Sequence, residues 1–479
     1  MTGARLSGLL KRDLAVDPMI LGVTADSRRV RPGYLFAALP GARVDGKAFV
    51  PQALASGAAA VLAGEDMPGL GAPVVKVGDP RRAYALAAAA FHGRQPRVCV
   101  AVTGTNGKTS VAAFCRQIFA AVGHKSASMG TLGVRAGDQQ LTPPGLTTPD
   151  AADVAELMVR LVDRGVTHLA LEASSHGIDQ RRLDGVTLTA AGFLNLTQDH
   201  LDYHGTMGAY RAAKLRLFET LLPRGGAAVL NADSEAFPAF AAAAVVGGHT
   251  VMSVGAMGQG LTLTGRSLTP EGQRLTISAW GRRHDVRLPL AGAFQASNAL
   301  VAAGLCIAAG ESPDTVLAAL EHLEGAPGRL QRVGARAGGG EAYVDYAHTP
   351  DGLDAVLTAL RPHAKGRLIV VLGAGGDRDR GKRPLMGAVA ADLADIAIVT
   401  DDNPRSEDPA AIRAEVVAGA ASLREVAGRR EAIQAGVSLL ETGDILVVAG
   451  KGHEQGQTIA GVIHPFDDVE EVREALGDG

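Results

Sequence analysis

A chain of 479 residues is too long for one ordinary hydrophobic core and predicts two to four domains. Its 47 Lys and Arg stand against 50 Asp and Glu, a net charge of −3, which argues against bulk electrostatic binding to nucleic acid or to an anionic membrane. A hydrophobic content of 47% excludes global disorder, and the three widely spaced cysteines, Cys99, Cys115 and Cys306, form neither a disulfide framework nor a zinc pattern.

The N-terminus mixes Lys11, Arg12 and Asp13 with short apolar pairs, unlike a signal peptide, and no apolar run reaches about 18 residues. The expectation is a cytoplasmic monomer without membrane insertion or a nucleic-acid partner. Up to residue 95 the chain reads as a small α/β unit, with short β-like runs at 59–62 and 74–77 and helical patterns at 50–56 and 82–91. The segment 92–97 reads as a linker, because Gly93 and Pro96 interrupt a helical pattern. From Val98 apolar runs alternate with amphipathic helices: a strand at 98–102, a helix at 110–122, and further strands at 168–171 and 190–194. A third block starts near residue 325, with strands at 342–344, 368–372, 396–400 and 445–449. This rhythm is that of parallel sheets with crossover helices. The predicted class is α/β in three domains: 1–95, a small N-terminal domain; 96–328, a central P-loop-like parallel-sheet domain; and 329–479, a Rossmann-like domain. No short repeat or low-complexity linker interrupts them.

The most informative stretch runs from the first central strand through Gly104, Thr105, Asn106, Gly107, Lys108, Thr109 and Ser110 into a helix. Gly104 and Gly107 let backbone N–H groups turn toward one point, and the new helix adds its free N–H groups and positive dipole end. Lys108 has the reach for the β- and γ-phosphates of a nucleotide, and Thr109 offers Mg²⁺ a hydroxyl. The strict P-loop glycine five positions before Gly107 is replaced by Val102, so the match is to the shorter form GTNGK[ST]. The next two strands run into clusters beginning at Glu172 and at Asn195. Both fall where open α/β sheets bind ligands, and Glu172 and His200 are able to hold Mg²⁺ near a triphosphate. His176, Asp199, Asp202 and His204 are secondary candidates. Lys214, fourteen positions after His200, reads by its pattern alone as a surface lysine on an amphipathic helix.

Taken together, the phosphate loop, the E-x-S-S-H-G cluster at Glu172 and the N-x-x-x-D-H-L-D-Y-H-G cluster at Asn195 resemble the Mur ligase family, ATP-dependent amide-forming enzymes that build the peptidoglycan peptide. The similarity extends over the whole chain. It implies ATP and Mg²⁺ at two sites, with Thr109, Glu172, His200 and Lys214 as the metal set. It also reverses the reading of Lys214, which would carry a carbamate derived from CO₂, an anionic oxygen ligand in place of a repelled ammonium. Asn298 resembles the family's adenine-contacting residue and Asp345 its ribose-binding aspartate. Arg329 and His348 look like residues that act when the third domain closes. Catalytic roles fall to Lys108, Lys214, His200, Glu172 and Arg329.

The resemblance also implies two substrates. Ser27 and the 41–45 loop, with Ala42, Arg43 and Val44, match the pattern that holds the UDP end of UDP-MurNAc-L-Ala-D-Glu. Thr147, Thr148, Ser174, Gln180 and Arg182 would read its dipeptide. Asp402, Asn403, Pro404 and Arg405 form the DNPR motif associated with meso-diaminopimelate, whose distal carboxylate Arg405 would grip in a fork. Arg378 offers a second carboxylate partner, and Gly450 and Glu454, the latter for the distal ammonium, complete the set. Two departures stand out: Leu146 and Gln295 occupy positions where relatives often carry Asn. The competing readings are a lysine-adding ligase or a folylpolyglutamate synthetase on the same fold, and a P-loop switch without carboxylate-activating machinery.

Overall fold

A computed structural model describes residues 3–41, 44–269 and 272–477. The chain divides into two compact units, Met1–Thr262 with Leu300–Val316, and Leu263–Ala299 with Leu317–Gly479.

Unit 1 holds two main sheets. The first has four parallel strands in chain order, β1 (Gly22–Thr24), β2 (Tyr34–Ala37), β3 (Ala60–Ala63) and β4 (Val74–Lys76). The helix α1 (Pro80–His92) follows, started by Asp79, whose carboxylate accepts the Arg82 N–H, and stopped at Gly93 in the left-handed region. Its small buried face, Ala85, Ala87 and Ala88, packs with Leu35 and Leu62 of the strands.

The second sheet includes β5 (Val98–Thr103), β6 (Ser126–Gly130), β7 (Gly133–Ala136), β8 (His168–Glu172), β9 (Ala190–Phe193), β10 (Ala227–Asn231) and β11 (Thr250–Gly255), with the run β7-β6-β8-β5-β9-β10-β11. All neighbours in that run are parallel except β6 and β7. All six residues of β5 are buried, as the continuous apolar run demanded. The helix α2 (Lys108–Ala121) begins two residues before the expected 110, because Gly107 at φ 87° turns the chain directly into it.

Unit 2 contains a hairpin of β12 (Gly272–Ala279) and β13 (Arg282–Leu288), turned at Trp280 and Gly281, both at positive φ. Its main sheet comprises β14 (Gln331–Ala335), β15 (Glu341–Asp345), β16 (Leu368–Ala374), β17 (Ile396–Asp401), β18 (Arg424–Glu425) and β19 (Ile445–Ala449), ordered β14-β15-β19-β16-β17-β18. Only β14 runs antiparallel to its neighbour. The carboxyl ends of β19, β16 and β17, three adjacent strands, therefore face the same edge. Among the described residues no helix is long and apolar enough to cross a membrane.

Candidate active site

The central strand β5 delivers the phosphate loop, and its two neighbours deliver the polar clusters. Glu172 ends β8, and the segment from Asn195 follows β9, so both clusters flank the loop at one sheet edge. The loop is tied to its β9 neighbour by the Thr105 and Asn106 N–H groups, which donate to the Asn195 backbone and side-chain oxygens. The Lys108 ammonium donates to the Gly104 and Thr105 carbonyls at 2.9 and 2.7 Å. Thr109 and Ser110 lie buried in the first turn of α2.

Glu172 is 3% exposed and sits beside the loop. Its Oε2 accepts from the Thr109 hydroxyl at 3.0 Å and its Oε1 from the Thr131 N–H at 2.9 Å. Thr131 was not anticipated. Its hydroxyl also reaches Glu172 and stands 2.9 Å from that of Thr147. A Cβ on Gly130 would lie 2.0 Å from Glu172 Oε1, so only glycine leaves the carboxylate this position.

Lys214 corrects the surface-lysine reading. It lies on the helix Met207–Arg216, is 1% exposed, and donates to the Gly104 carbonyl at 2.7 Å. Its ammonium stands 4.5 Å over the Tyr210 ring, whose hydroxyl is 3.1 Å from that of Thr105. Burial holds its pKa well below the ordinary lysine value, and Lys108 pushes the same way. A depressed amine is more readily neutral, the form that attacks CO₂, so the site fits the carbamate chemistry. The buried oxygens of Thr109 and Glu172 likewise fit a hard divalent cation.

His200 caps the short helix Leu201–His204 from the left-handed region, with Nε2 3.4 Å from Asp199. Its pKa is lowered by burial, and Lys108 and Lys214 add to that against the pull of Asp199. His176 packs edge-on against His200 at 4.8 Å between ring centres, and burial brings its pKa down to about 4. His204 Nε2 and the Ser175 hydroxyl are buried without a hydrogen-bond partner among the described residues.

The residues expected to read the dipeptide form one connected group. Arg182 donates to the Thr148 carbonyl at 2.7 Å and to Gln180 Oε1 at 2.8 Å, while the Thr148 and Ser174 hydroxyls are 3.0 Å apart. In the N-terminal sheet region the Ser27 hydroxyl bonds Gln52, and Val44 is exposed. Ala42 and Arg43 lie outside the described residues.

Unit 2 carries the remaining candidates. Asp345, at the end of β15, is buried, and its carboxylate accepts the Leu330 and Ala347 N–H groups at 2.5 and 2.7 Å. Burial raises its pKa against the opposing pull of Arg329. The Arg329 guanidinium stacks 4.4 Å over Tyr346, with its Nε buried and unpartnered among the described residues. Asn298, 4% exposed, donates to Gln295 one helical turn earlier, so the two amides that the sequence singled out hold each other. His348 Nδ1 pairs with the Tyr346 carbonyl.

Arg405, in the left-handed region after β17, donates to the Gly376 carbonyl at 2.5 Å. A Cβ on Gly375 would meet both Arg405 Nη1 and Arg378 Cγ, so the two arginines flank the same glycine. Asn403 Nδ2 donates to Glu454 Oε2 at 2.8 Å, linking the loop after β17 to the loop after β19. Gly450 at φ 126° brings that loop against Asp402. Pro404 is buried beside Gly376. A further cluster, His124, His168 and Glu311, has metal-ligand composition; its two imidazoles stack at 3.8 Å and 20°, and their Nε2 atoms lie 2.9 and 3.6 Å from Glu311 Oε1.

Three domain-family models match the chain: the Mur ligase family, catalytic domain, over residues 19–92; the Mur ligase middle domain over 102–306; and the Mur ligase, glutamate ligase domain over 328–452. A UDP-N-acetylmuramoyl-L-alanyl-D-glutamate–2,6-diaminopimelate ligase of Caulobacter vibrioides is 70% identical over 478 residues, covering 98% of each chain. An enzyme of the same name from Rhizobium meliloti is 52% identical, covering 98% of this chain and 97% of its own. A solved structure of a ligase with that name is 34% identical with a TM-score of 0.75, covering 100% of this chain and 99% of that one.

Proposed function

The chain belongs to the Mur ligase family, and from that premise we infer that it joins 2,6-diaminopimelate to UDP-N-acetylmuramoyl-L-alanyl-D-glutamate with ATP as the energy source. The D-Glu side-chain carboxylate attacks the γ-phosphate, giving ADP and an acyl phosphate. The amine of diaminopimelate then attacks that acyl carbon and phosphate leaves. Such chemistry asks the protein mainly to position groups and to offset charge.

In this reading the loop N–H groups of Gly104 to Thr109 and the Lys108 ammonium hold the β- and γ-phosphates. The hydroxyl of Thr109, Glu172, His200 and a carbamate on Lys214 would hold Mg²⁺, which supplies charge neutralisation at the transferring phosphoryl group. Asn298 and Asp345 would hold the adenosine, and Arg329 the γ-phosphate. Arg182, braced on Thr148 and Gln180, suits the dipeptide carboxylate that is not activated.

The observation that carries the amine substrate is the meeting of two opposite charges at one sheet edge. The Arg405 guanidinium follows β17, and the Glu454 carboxylate, linked to Asn403, follows β19. A meso-diaminopimelate distal end carries a carboxylate and an ammonium, one for each. L-lysine has no carboxylate there for Arg405 and Arg378. Phosphate release from ATP, with the UDP-dipeptide and either amine, tests this. Release with diaminopimelate is expected, and release with lysine alone overturns it. Release with neither returns the P-loop switch.

A further inference from the structure

We propose that Lys451 is a positioning residue for the incoming amino acid: wholly buried, it fixes the Glu454 carboxylate so that one oxygen is left for the substrate's distal ammonium. The inference rests on the reading that Glu454 faces that ammonium.

Lys451 is 0% exposed and two residues past the carboxyl end of β19. Its ammonium donates to Glu454 Oε2 at 3.1 Å and to Asn403 Oδ1 at 3.2 Å. Asn403 closes the triangle, donating from Nδ2 to the same Glu454 Oε2 at 2.8 Å. Its Oδ1 is further held by the Thr458 N–H at 2.9 Å. Two donors therefore occupy Oε2, and Oε1 has no hydrogen-bond partner among the described residues.

The base of this triangle is fixed by a second buried cation. Arg429, with its side chain 0% exposed, forms a two-pronged pair with Asp468 at 2.7 and 2.6 Å. Two further guanidinium N–H groups donate to the carbonyls of Asp401 and Ala449, the last residues of β17 and β19. Those strands are not neighbours, since β16 runs between them. Arg429 thus spans a strand to tie together the two ends that carry Asn403 and Lys451. Neither cation is exposed, so neither is placed to touch a ligand directly.

A carboxylate held by two donors at one oxygen loses rotamer freedom before the ligand arrives, and its other oxygen keeps a fixed direction. Without the ammonium, Glu454 swings, and recognition of the distal amine becomes less selective. A suitable probe is 2-aminopimelate, which keeps the distal carboxylate and lacks the distal amine.

The experiment compares Lys451→Met, Lys451→Arg, Glu454→Gln and the Lys451→Met/Glu454→Gln double variant of the full chain. The measurements are KM for diaminopimelate and for ATP, and the kcat/KM preference for diaminopimelate over 2-aminopimelate. Lys451→Met is expected to raise the diaminopimelate KM about tenfold, to leave the ATP KM within about twofold, and to cut the preference about tenfold. Lys451→Arg should recover part of the loss. The double variant should be no worse than Glu454→Gln, because both changes act through one carboxylate. Multiplying losses in the double variant, or an equal rise in both KM values, overturns the inference. If Glu454→Gln raises the diaminopimelate KM and Lys451→Met does not, the positioning role alone falls. If Glu454→Gln changes neither KM nor preference, the pocket reading beneath it falls as well. Should Lys451→Met not fold, the double variant, which leaves no uncompensated charge, and Asn403→Ser, which cuts the other bond to Oε2, decide by the same measurements.

Discussion

Lys214 holds an amine that the fold has nearly sealed from water, against one carbonyl and one aromatic face. Such burial is costly for a cation, and a protein keeps it where the neutral form is wanted. Replacing it by an apolar chain of similar length should therefore separate stability from function. In buffer purged of CO₂ at pH 7, Lys214→Met is expected to be more stable than the parent by about 1–2 kcal/mol, while ligation stops. The sign with pH follows from the depressed folded-state value. Between that value and the unfolded value, about 10.4, the unfolded chain binds the proton that the folded chain refuses, which favours unfolding. The cost therefore fades as pH rises toward 10, and the gap between variant and parent should narrow in thermal melts across pH 7 to 10. A gap that widens would mean that Lys214 is a protonated structural contact. Arg405 gives a second residue-scale expectation. Arg405→Ala should raise the diaminopimelate KM at least tenfold and leave the ATP KM within about twofold, because the guanidinium is held on the Gly376 carbonyl in the loop after β17, which carries none of the residues assigned to ATP. Steady-state kinetics with each substrate varied in turn checks it.

The elements that carry the site are short turns joined to buried parallel strands, and they were the most legible part of the sequence. An apolar run ending in Gly, Asp, Asn or Arg marks the carboxyl end of a strand, and adjacent parallel strands put such ends together. That logic anticipated β5, β8 and β9 in unit 1 and β16, β17 and β19 in unit 2. The hairpin β12–β13 escaped it, because Arg282, Arg283 and Arg287 make the outer face of β13 look like loop. Thr131 and Tyr210 escaped it as well. Thr131 is an ordinary residue whose place beside Glu172 depends on a long-range contact, and Tyr210, one helical turn before Lys214, is tied to the phosphate loop only through its long-range bond to Thr105. The burial of Lys214 has the same origin, since its helix carries charge on several sides and leaves the inward face unmarked. Turn geometry also gives a test. Gly450 lies at φ 126°, and a Cβ there would stand 2.5 Å from Asp402 Oδ2. Gly450→Ala is therefore expected to cost about 1–3 kcal/mol, read by chemical unfolding, and to raise the diaminopimelate KM, because the two loops it joins must part.

At the scale of the whole chain, titratable groups spread over both units act in the same direction on stability. Burial is the leading cause that lowers the values of eight histidines, to about 4 for His168, His176 and His453, and in the same direction for His92, His200, His204, His348 and His363. Each such ring stays neutral in the folded chain at a pH where the unfolded chain has bound a proton. Stability then rises with pH wherever the unfolded state holds more protons, so acidification from about 6.5 toward 4 should progressively favour unfolding. Two buried aspartates oppose this. Asp345 and Asp468 have raised values, and the folded chain takes up their protons first on acidification. They are outnumbered, and the net slope follows the histidines. Calorimetric melts should show the unfolding midpoint falling by several degrees between pH 7 and pH 5. Because the responsible rings lie at separate places in both units, no single His→Gln change should remove the slope; each should lessen it by a fraction. A midpoint flat to pH 5, or one abolished by a single substitution, would place the acid sensitivity in one local contact instead of the summed burial of imidazoles.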